Sequence, residues 1–404
     1  MSEERMFRIP VGPQHPALKE PINFTFIVDG ERVVDVKPRI GYNHRGIEKL
    51  MESKTYIQGL YLIERICGIC SAAHQGCYAQ NIEEAAGIEA PPRGVYLRTL
   101  IWELERIHSH LLWVGVAYHE IGFDTLFMYV WRDRERVMDI LEMISGNRVN
   151  YAMNTIGGVR RDVTPEIVDN ALKALDYLEE RTKYYKKVTE EDDSILARTV
   201  NVGILKTEDA KRLCAVGPTA RASGLKVDVR RDDPYGAYDE LDFDVVVYDT
   251  CDLTARVLVR IDEVLESIKM CRQILQNLPS GPVRVKFKRK VPEGESISKV
   301  EAPRGEDLHY VKANGTEKPE RYKVRAPTLA NIPSVCEMLK GGYIADIPIV
   351  FAGIDPCIAC TDRMLFIDVN TERKWMWTEE ELRMYARKWY KKHLKEVVRE
   401  RWKC

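Results

Sequence analysis

Apolar and polar residues alternate from Phe7 to Val36, as in Phe24-Thr25-Phe26-Ile27-Val28, and Asp29-Gly30 separates two such runs. A period of two broken by a turn dipeptide predicts a β-hairpin. Gly41 to Gly46 reads as a loop, after which apolar positions recur every three or four residues over 47–64 and 72–87. Helices are predicted there, so Cys67 and Cys70 fall at the break between them, where a thiolate gains from a helix dipole. Longer helical patterns run from Arg93 to Tyr118 and from Leu126 to Ser145, ending at the stop signal Gly146-Asn147. Residues 166–192 and 253–277 continue the theme, the latter with Val257, Ile261, Val264 and Ile268 on one stripe. Between Gly281 and Val324 the sequence turns strand-like, Pro/Gly-rich and basic, as in Val283-Arg284-Val285-Lys286-Phe287-Lys288. A helix over 327–340 and a buried run from Ile344 to Ile354 follow. The predicted class is α+β, mainly helical: a central bundle of long helices, an N-terminal β-hairpin region over 6–40, and a β-rich insertion over 281–324.

Composition narrows the possibilities. The 404 residues are 45% hydrophobic and 30% charged, enough apolar material for one large or two intimately packed domains. With 61 basic against 62 acidic residues there is no global electrostatic case for nucleic acid. No run of 18 apolar residues and no basic-then-apolar leader occurs, so the expected location is cytoplasmic, without a membrane span of its own.

Candidate chemistry rests on two Cys-x-x-Cys pairs, Cys67-Gly68-Ile69-Cys70 and Cys357-Ile358-Ala359-Cys360. Four thiolates at two short spacings are soft ligands that suit zinc, an iron-sulfur cluster or nickel. A structural zinc site is the commonest use of such pairs, but it usually staples small segments that lack a core of their own. Here most of a long chain separates the pairs, which makes zinc the lesser reading. A thioredoxin-like redox pair lacks the strand-then-helix setting. The other six cysteines, Cys77, Cys214, Cys251, Cys271, Cys336 and Cys404, have no paired spacing and read as core or incidental.

The flanks of both pairs carry a resemblance. Glu64-Arg65-Ile66-Cys67-Gly68-Ile69-Cys70 with His74 beyond it, and Asp355-Pro356-Cys357-Ile358-Ala359-Cys360-Thr361-Asp362-Arg363, resemble the paired motifs of NiFe-hydrogenase large subunits. Further matches occur in order: Gly12-Pro13-Gln14-His15-Pro16, Gly41-Tyr42-Asn43-His44-Arg45-Gly46, Glu105-Arg106-Ile107-His108-Ser109-His110, Gly157 to Asp162, and Glu301-Ala302-Pro303-Arg304-Gly305. Among these subunits the chain most resembles those of membrane-bound, energy-converting hydrogenases, which are similar to the quinone-site subunit of respiratory complex I. The resemblance implies a NiFe-hydrogenase large-subunit-like fold over 1–363. It also implies reversible proton reduction to H2, coupled to ion translocation by partner membrane subunits. A complex I-like coupling subunit, or a quinone- or sulfur-reducing one without a NiFe centre, is the alternative. A chain of the complex I branch would lack the thiolates, and a sulfur-reducing one looks incomplete in them; all four are present here.

By the same resemblance Cys67 and Cys357 would be terminal nickel ligands, and Cys70 and Cys360 would bridge nickel to an iron carrying carbon monoxide and cyanide. Arg304 would stand over the open face of the metals, held by Asp355. Glu20 would take part in proton transfer from a terminal thiolate, and His74 would hydrogen-bond a bridging sulfur. His108, His110 and His119 do not converge on one helix face and read as buried hydrogen-bonding or proton-path groups. Arg160, Arg161 and Asp162 either pair internally or face a partner. Implied partners are a small subunit with a proximal 4Fe-4S cluster, membrane-anchor and antiporter-like subunits, and a maturation protease. The assembly would lie peripherally on the cytoplasmic side of the cell membrane, with ferredoxin, formate or carbon monoxide oxidation feeding it electrons and ferredoxin the expected donor. The 41 residues after Arg363 carry 11 Lys/Arg against 7 Asp/Glu, a net of +4 that leaves −5 for the rest. Thr378-Glu379-Glu380-Glu381 resembles a capping box. This extension is either removed by the protease after nickel insertion or an ordinary docking helix.

Overall fold

The computed structural model describes residues 6–361 and a helix over Glu379–Arg401. The chain divides into two compact units, Met1–Asp362 and Arg363–Cys404. The cut expected after Arg363 and the cap expected at Thr378 lie outside the described residues. No described helix is long and apolar enough to cross a membrane.

In the first unit the N-terminal alternation forms three antiparallel strands rather than one hairpin: β1 (Met6–Val11), β2 (Asn23–Asp29) and β3 (Arg32–Arg39). Asp29-Gly30 does join β2 to β3. The segment 12–22 loops out, however, and β1 returns along β2 in the register Phe7↔Val28. The buried side chains Phe24, Phe26 and Val28 lie on one face of the central strand, as a period of two requires. Glu20 sits on that outward loop.

The helical pattern over 47–64 is also broken, into α1 (Ile47–Met51) and α2 (Tyr56–Glu64). Thr55 forms a reciprocal capping box with Gln58 and starts a new helix, because two backbone donors are satisfied at once. Next come α3 (Ser71–Ala86), α4 (Pro92–Glu120), α5 (Asp124–Ser145) and α6 (Pro165–Glu191). With the helix Leu253–Gln276, the helices α4, α5 and α6 close a four-membered bundle in which each packs on two others.

The β-rich insertion begins later than its composition suggested. Its three-stranded antiparallel sheet comprises Gly294–Ala302, Gly305–Ala313 and Pro319–Arg325. The run from Val283 to Lys288 stays outside it, held by Val159 N donating to Val283 O at 3.0 Å and Val285 N donating to Gly157 O at 2.9 Å. Only glycine permits that approach: at Gly158, with φ of 139°, a Cβ would stand 2.2 Å from Val283 O. Gly158→Ala is expected to force the backbones apart and lower unfolding free energy by about 1–3 kcal/mol, measured as a shift in urea midpoint.

Candidate metal centre

The two cysteine pairs, nearly three hundred residues apart, meet in one buried cluster. Cys67 lies in the short connection between α2 and α3, and Cys70 is the residue preceding the first turn of α3. The second pair follows Asp355, whose φ of 52° turns the chain sharply, and Ile358–Cys360 form a single 3-10 turn. Cys357 N donates to Thr328 Oγ1 at 3.1 Å. Cys67 Sγ and Cys357 Sγ are 3.4 Å apart, and Cys357 Sγ and Cys360 Sγ 2.8 Å. The sulfurs of Cys67, Cys70 and Cys360 all lie within 4.8 Å of one another, and no residue of the four is more than 5% exposed.

Arg45 joins the two segments. Its guanidinium donates to Arg65 O at 2.9 Å, Ile66 O at 2.6 Å and Ala359 O at 2.9 Å. The motif Gly41 to Gly46 was visible in the sequence, but nothing there indicated that its arginine fastens one cysteine pair to the other. Glu105 of α4 is a second such residue. Its carboxylate accepts from Ala72 N at 2.6 Å and Ala73 N at 2.8 Å, so it caps α3 and engages donors that would otherwise favour a thiolate at the helix start. Burial pushes Glu105 up to about 8, although both amides pull the other way.

Arg304 occupies the turn between the first two strands of the insertion sheet. Its Nε donates to Asp355 O at 2.7 Å and its Nη2 to Asp355 Oδ1 at 2.8 Å. The remaining Nη1, like Asp355 Oδ2, is buried with no partner. Burial raises the Asp355 carboxyl, with Arg304 and Arg260 opposing. Arg304, Asp355, Cys67, Cys357 and Glu20 line a cavity of about 320 Å³ whose other walls include Leu112, Trp113, Val116 and Phe351. Glu20 Oε2 accepts from Ala359 N at 3.1 Å and, at closer range, from Ile358 N inside the second cysteine turn. Burial raises its pKa, and those two amides lower it.

His74 Nε2 is 3.6 Å from Cys360 Sγ, and its Nδ1 is 2.8 Å from Asp307 Oδ2. The other histidines on α4 stand apart. His108 donates to Ile69 O at 3.1 Å and accepts from Arg134, and burial reinforced by Arg134 pushes it down to about 3. His110 contacts Glu263 at 2.8 Å. His119, expected to be buried, is exposed and pairs with Asp124, because it occupies the last turn of α4 where the helix leaves the core. Asp162 pairs internally with Arg93, and Arg160 donates to carbonyls of Ser145, Tyr151 and Ala152. Cys77 and Cys271 are core residues, whereas Cys214 is exposed.

The donor set fits a soft, positively charged group. Hydrogen bonds from Cys357, Cys360 and Cys70 hold the Cys67 thiol well below its usual range. The other three thiols are pushed up: Cys360 chiefly by Cys357, and, despite hydrogen bonds from Cys360, Cys70 and Cys357 by Cys67 and burial. Metal ligation needs thiolates, so a bound cation would displace the protons that burial favours on these sulfurs. Beside them, an unpartnered guanidinium nitrogen and a cavity are what a closed structural zinc site does not need.

Two family descriptions match the chain. "Respiratory-chain NADH dehydrogenase, 49 Kd subunit" covers residues 120–291 and 285–363, and "Nickel-dependent hydrogenase" covers 45–176. The chain is 41% identical to the membrane-bound hydrogenase subunit alpha of Pyrococcus furiosus, over 94% of this chain and 92% of that one. It is also 41% identical to the carbon monoxide-induced hydrogenase of Rhodospirillum rubrum, over 88% and 99%. A subunit of the NADH-quinone oxidoreductase of Dehalococcoides mccartyi is 37% identical over 88% and 98%. Among solved structures, a chain of the membrane-bound sulfane sulfur reductase, an archaeal respiratory membrane complex, superposes with a TM-score of 0.85 at 32% identity, over 90% of this chain and all of that one.

Proposed function

Because this chain belongs to the oxidoreductase family that joins nickel-dependent hydrogenases to the 49 Kd subunit of respiratory NADH dehydrogenase, we propose that it is the catalytic subunit of a membrane-associated NiFe-hydrogenase. It reversibly reduces two protons with two electrons to H2. The observation that carries this reading is the convergence of all four thiols on one buried point beside Arg304.

Cys67, Cys70, Cys357 and Cys360 would hold a nickel-iron centre with carbon monoxide and cyanide on the iron, which supplies the two-electron chemistry when bound. The chain's own residues do the rest. Arg45 fixes the two cysteine segments against each other, and Glu105 anchors the start of α3 beside the first pair. Asp355 orients Arg304 through two hydrogen bonds, leaving one donor of this cavity-lining residue without a partner. Glu20, on the opposite segment, lines the same cavity and moves protons between sulfur and solvent. Apolar side chains of Leu112, Trp113, Val116 and Phe351 limit water around the reacting atoms.

Electrons reach the site from a small partner subunit with a 4Fe-4S cluster, since no further cysteine pair stands in this chain. Membrane-anchor and antiporter-like subunits complete a complex on the cytoplasmic face, where the reaction drives ion translocation. The relatives that are named membrane-bound support that setting. Relatives named for NADH-quinone and sulfane sulfur reduction favour a second reading, quinone or sulfur reduction without a NiFe centre.

Metal analysis of the matured complex separates the two. Stoichiometric nickel, with iron in excess of it because of the partner's cluster, and H2 evolved from a reduced viologen dye are expected; a fully matured complex free of nickel sinks the hydrogenase reading. Within that reading, Glu20→Gln is expected to slow H2 production and H/D exchange by about 100-fold or more, with nickel content unchanged. The amide keeps the shape of the carboxylate but cannot relay a proton, and exchange at the normal rate would remove Glu20 from the path.

A further inference from the structure

Behind His74 lies a buried chain of polar side chains that the proposed reaction has not used. Asp307 and His309 project from the same face of the strand Gly305–Ala313, as a period of two requires, and Tyr322 lies diagonally across on the strand Pro319–Arg325. All three are fully buried. Asp307 Oδ2 is 2.8 Å from His74 Nδ1 and 3.1 Å from His309 Nε2, and Tyr322 OH meets His309 Nδ1 at short range.

Donor and acceptor accounting fixes the protons. A neutral tyrosine donates to His309 Nδ1, so the hydrogen of His309 is on Nε2, where it donates to Asp307. The carboxylate accepts a second hydrogen, from His74 Nδ1. His74 Nε2 is then the atom left to face Cys360 Sγ at 3.6 Å; it accepts from the thiol of the metal-free chain, and towards a metal-bound thiolate it carries a second hydrogen and donates, as an imidazolium backed by the Asp307 carboxylate. His74 Nδ1 and His309 Nε2 are 3.2 Å apart, and with a hydrogen on each it is the shared Asp307 carboxylate that offsets their crowding.

We infer that Asp307, backed by His309 and Tyr322, is the positioning residue that sets the tautomer and ring plane of His74 and so presents Nε2 to the Cys360 sulfur. The inference rests on the proposed function in taking Cys360 as a metal ligand. A histidine that touches a metal-bound sulfur controls how much electron density the sulfur gives the metal, and the group behind the histidine controls the histidine. Asp307, His74 and His309 also converge closely enough to hold an ion themselves. Every ring nitrogen already has a partner in the chain, however, and Asp307 Oδ1, the one side-chain oxygen of the three residues left over, is too few ligands for an ion.

The test uses the matured complex. Asp307→Ala is expected to reduce nickel retention against a chelator by about 10–100-fold and to shift the carbon monoxide and cyanide stretching bands of the fraction still loaded. Tyr322→Phe, which keeps the ring packed on Tyr78 and His309, is expected to shift the same bands less, in the same direction. It decides the matter if Asp307→Ala does not fold. Wild-type bands and retention in the folded variants overturn the inference, as does an additional metal ion in the wild type that Asp307→Ala loses. If the wild type holds no nickel the proposed function fails instead, and the positioning role is then read from the imidazole ¹⁵N shifts of the metal-free chain. A His74 held as the Nδ1–H tautomer and released by Asp307→Ala supports the role; shifts unchanged by the variant reject it.

Discussion

Cys67→Ser and Cys360→Ser are each expected to abolish nickel binding and H2 evolution together. All four sulfurs meet at one point, so either change removes a quarter of the donor set rather than one of several independent sites. A serine hydroxyl neither ionises near neutrality nor matches a soft cation. If a site of this kind gains roughly 10–16 kcal/mol from four ligands, each is worth on the order of 3 kcal/mol, or at least a 100-fold loss of affinity. Cys214→Ser is the control, since that thiol is exposed and is not one of the converging sulfurs. It should retain full nickel by plasma emission analysis and full gas evolution. Nickel at wild-type stoichiometry in Cys67→Ser or Cys360→Ser would end the metal assignment.

Arg304→Lys is expected to keep nickel and iron but lower turnover per nickel by about 100–1000-fold, the size seen when one directed donor is lost from a preorganised site. Arg304 uses two nitrogens to grip Asp355, has a third without a partner, and lines the cavity. A lysine has one nitrogen, so it either pairs with Asp355 or faces the cavity. Its loss also leaves Asp355 buried with weaker compensation. Rates measured at equal nickel loading check this, and an unchanged rate would make Arg304 a structural residue only.

Much of this architecture could be read along the chain because its signals are local. The long helices α4, α5 and α6 show a 3.6-residue period over many turns, and their ends carry Pro at the start or Gly after the end. Departures from expectation occur where a local signal competes with a tertiary one. The pattern over 47–64 continues through residues that Thr55 and Gln58 cap as a new helix. Val283 to Lys288 has strand-like composition, yet its hydrogen bonds go to the glycines at 157–158 and their neighbour Val159, not to the insertion sheet.

The cysteine pairs and their flanks were legible for a related reason: metal-binding spacing is short-range chemistry written in adjacent residues. Arg45, Glu105, Asp307, His309 and Tyr322 were not. A buried arginine, carboxylate or histidine has no characteristic neighbours in sequence; its role comes from partners far along the chain, as with Arg45 to Ala359 and His74 to Asp307. Most of the secondary structure, the four thiols and the kind of ion they suit follow from the order of residues alone, because propensity, period and ligand type act within a few positions. Which sulfurs touch, which donor Arg304 leaves free and which carboxylate stands behind His74 had to wait for the folded chain. Those depend on distances between remote segments, and burial makes an unpaired charge or donor there costly enough to fix one arrangement.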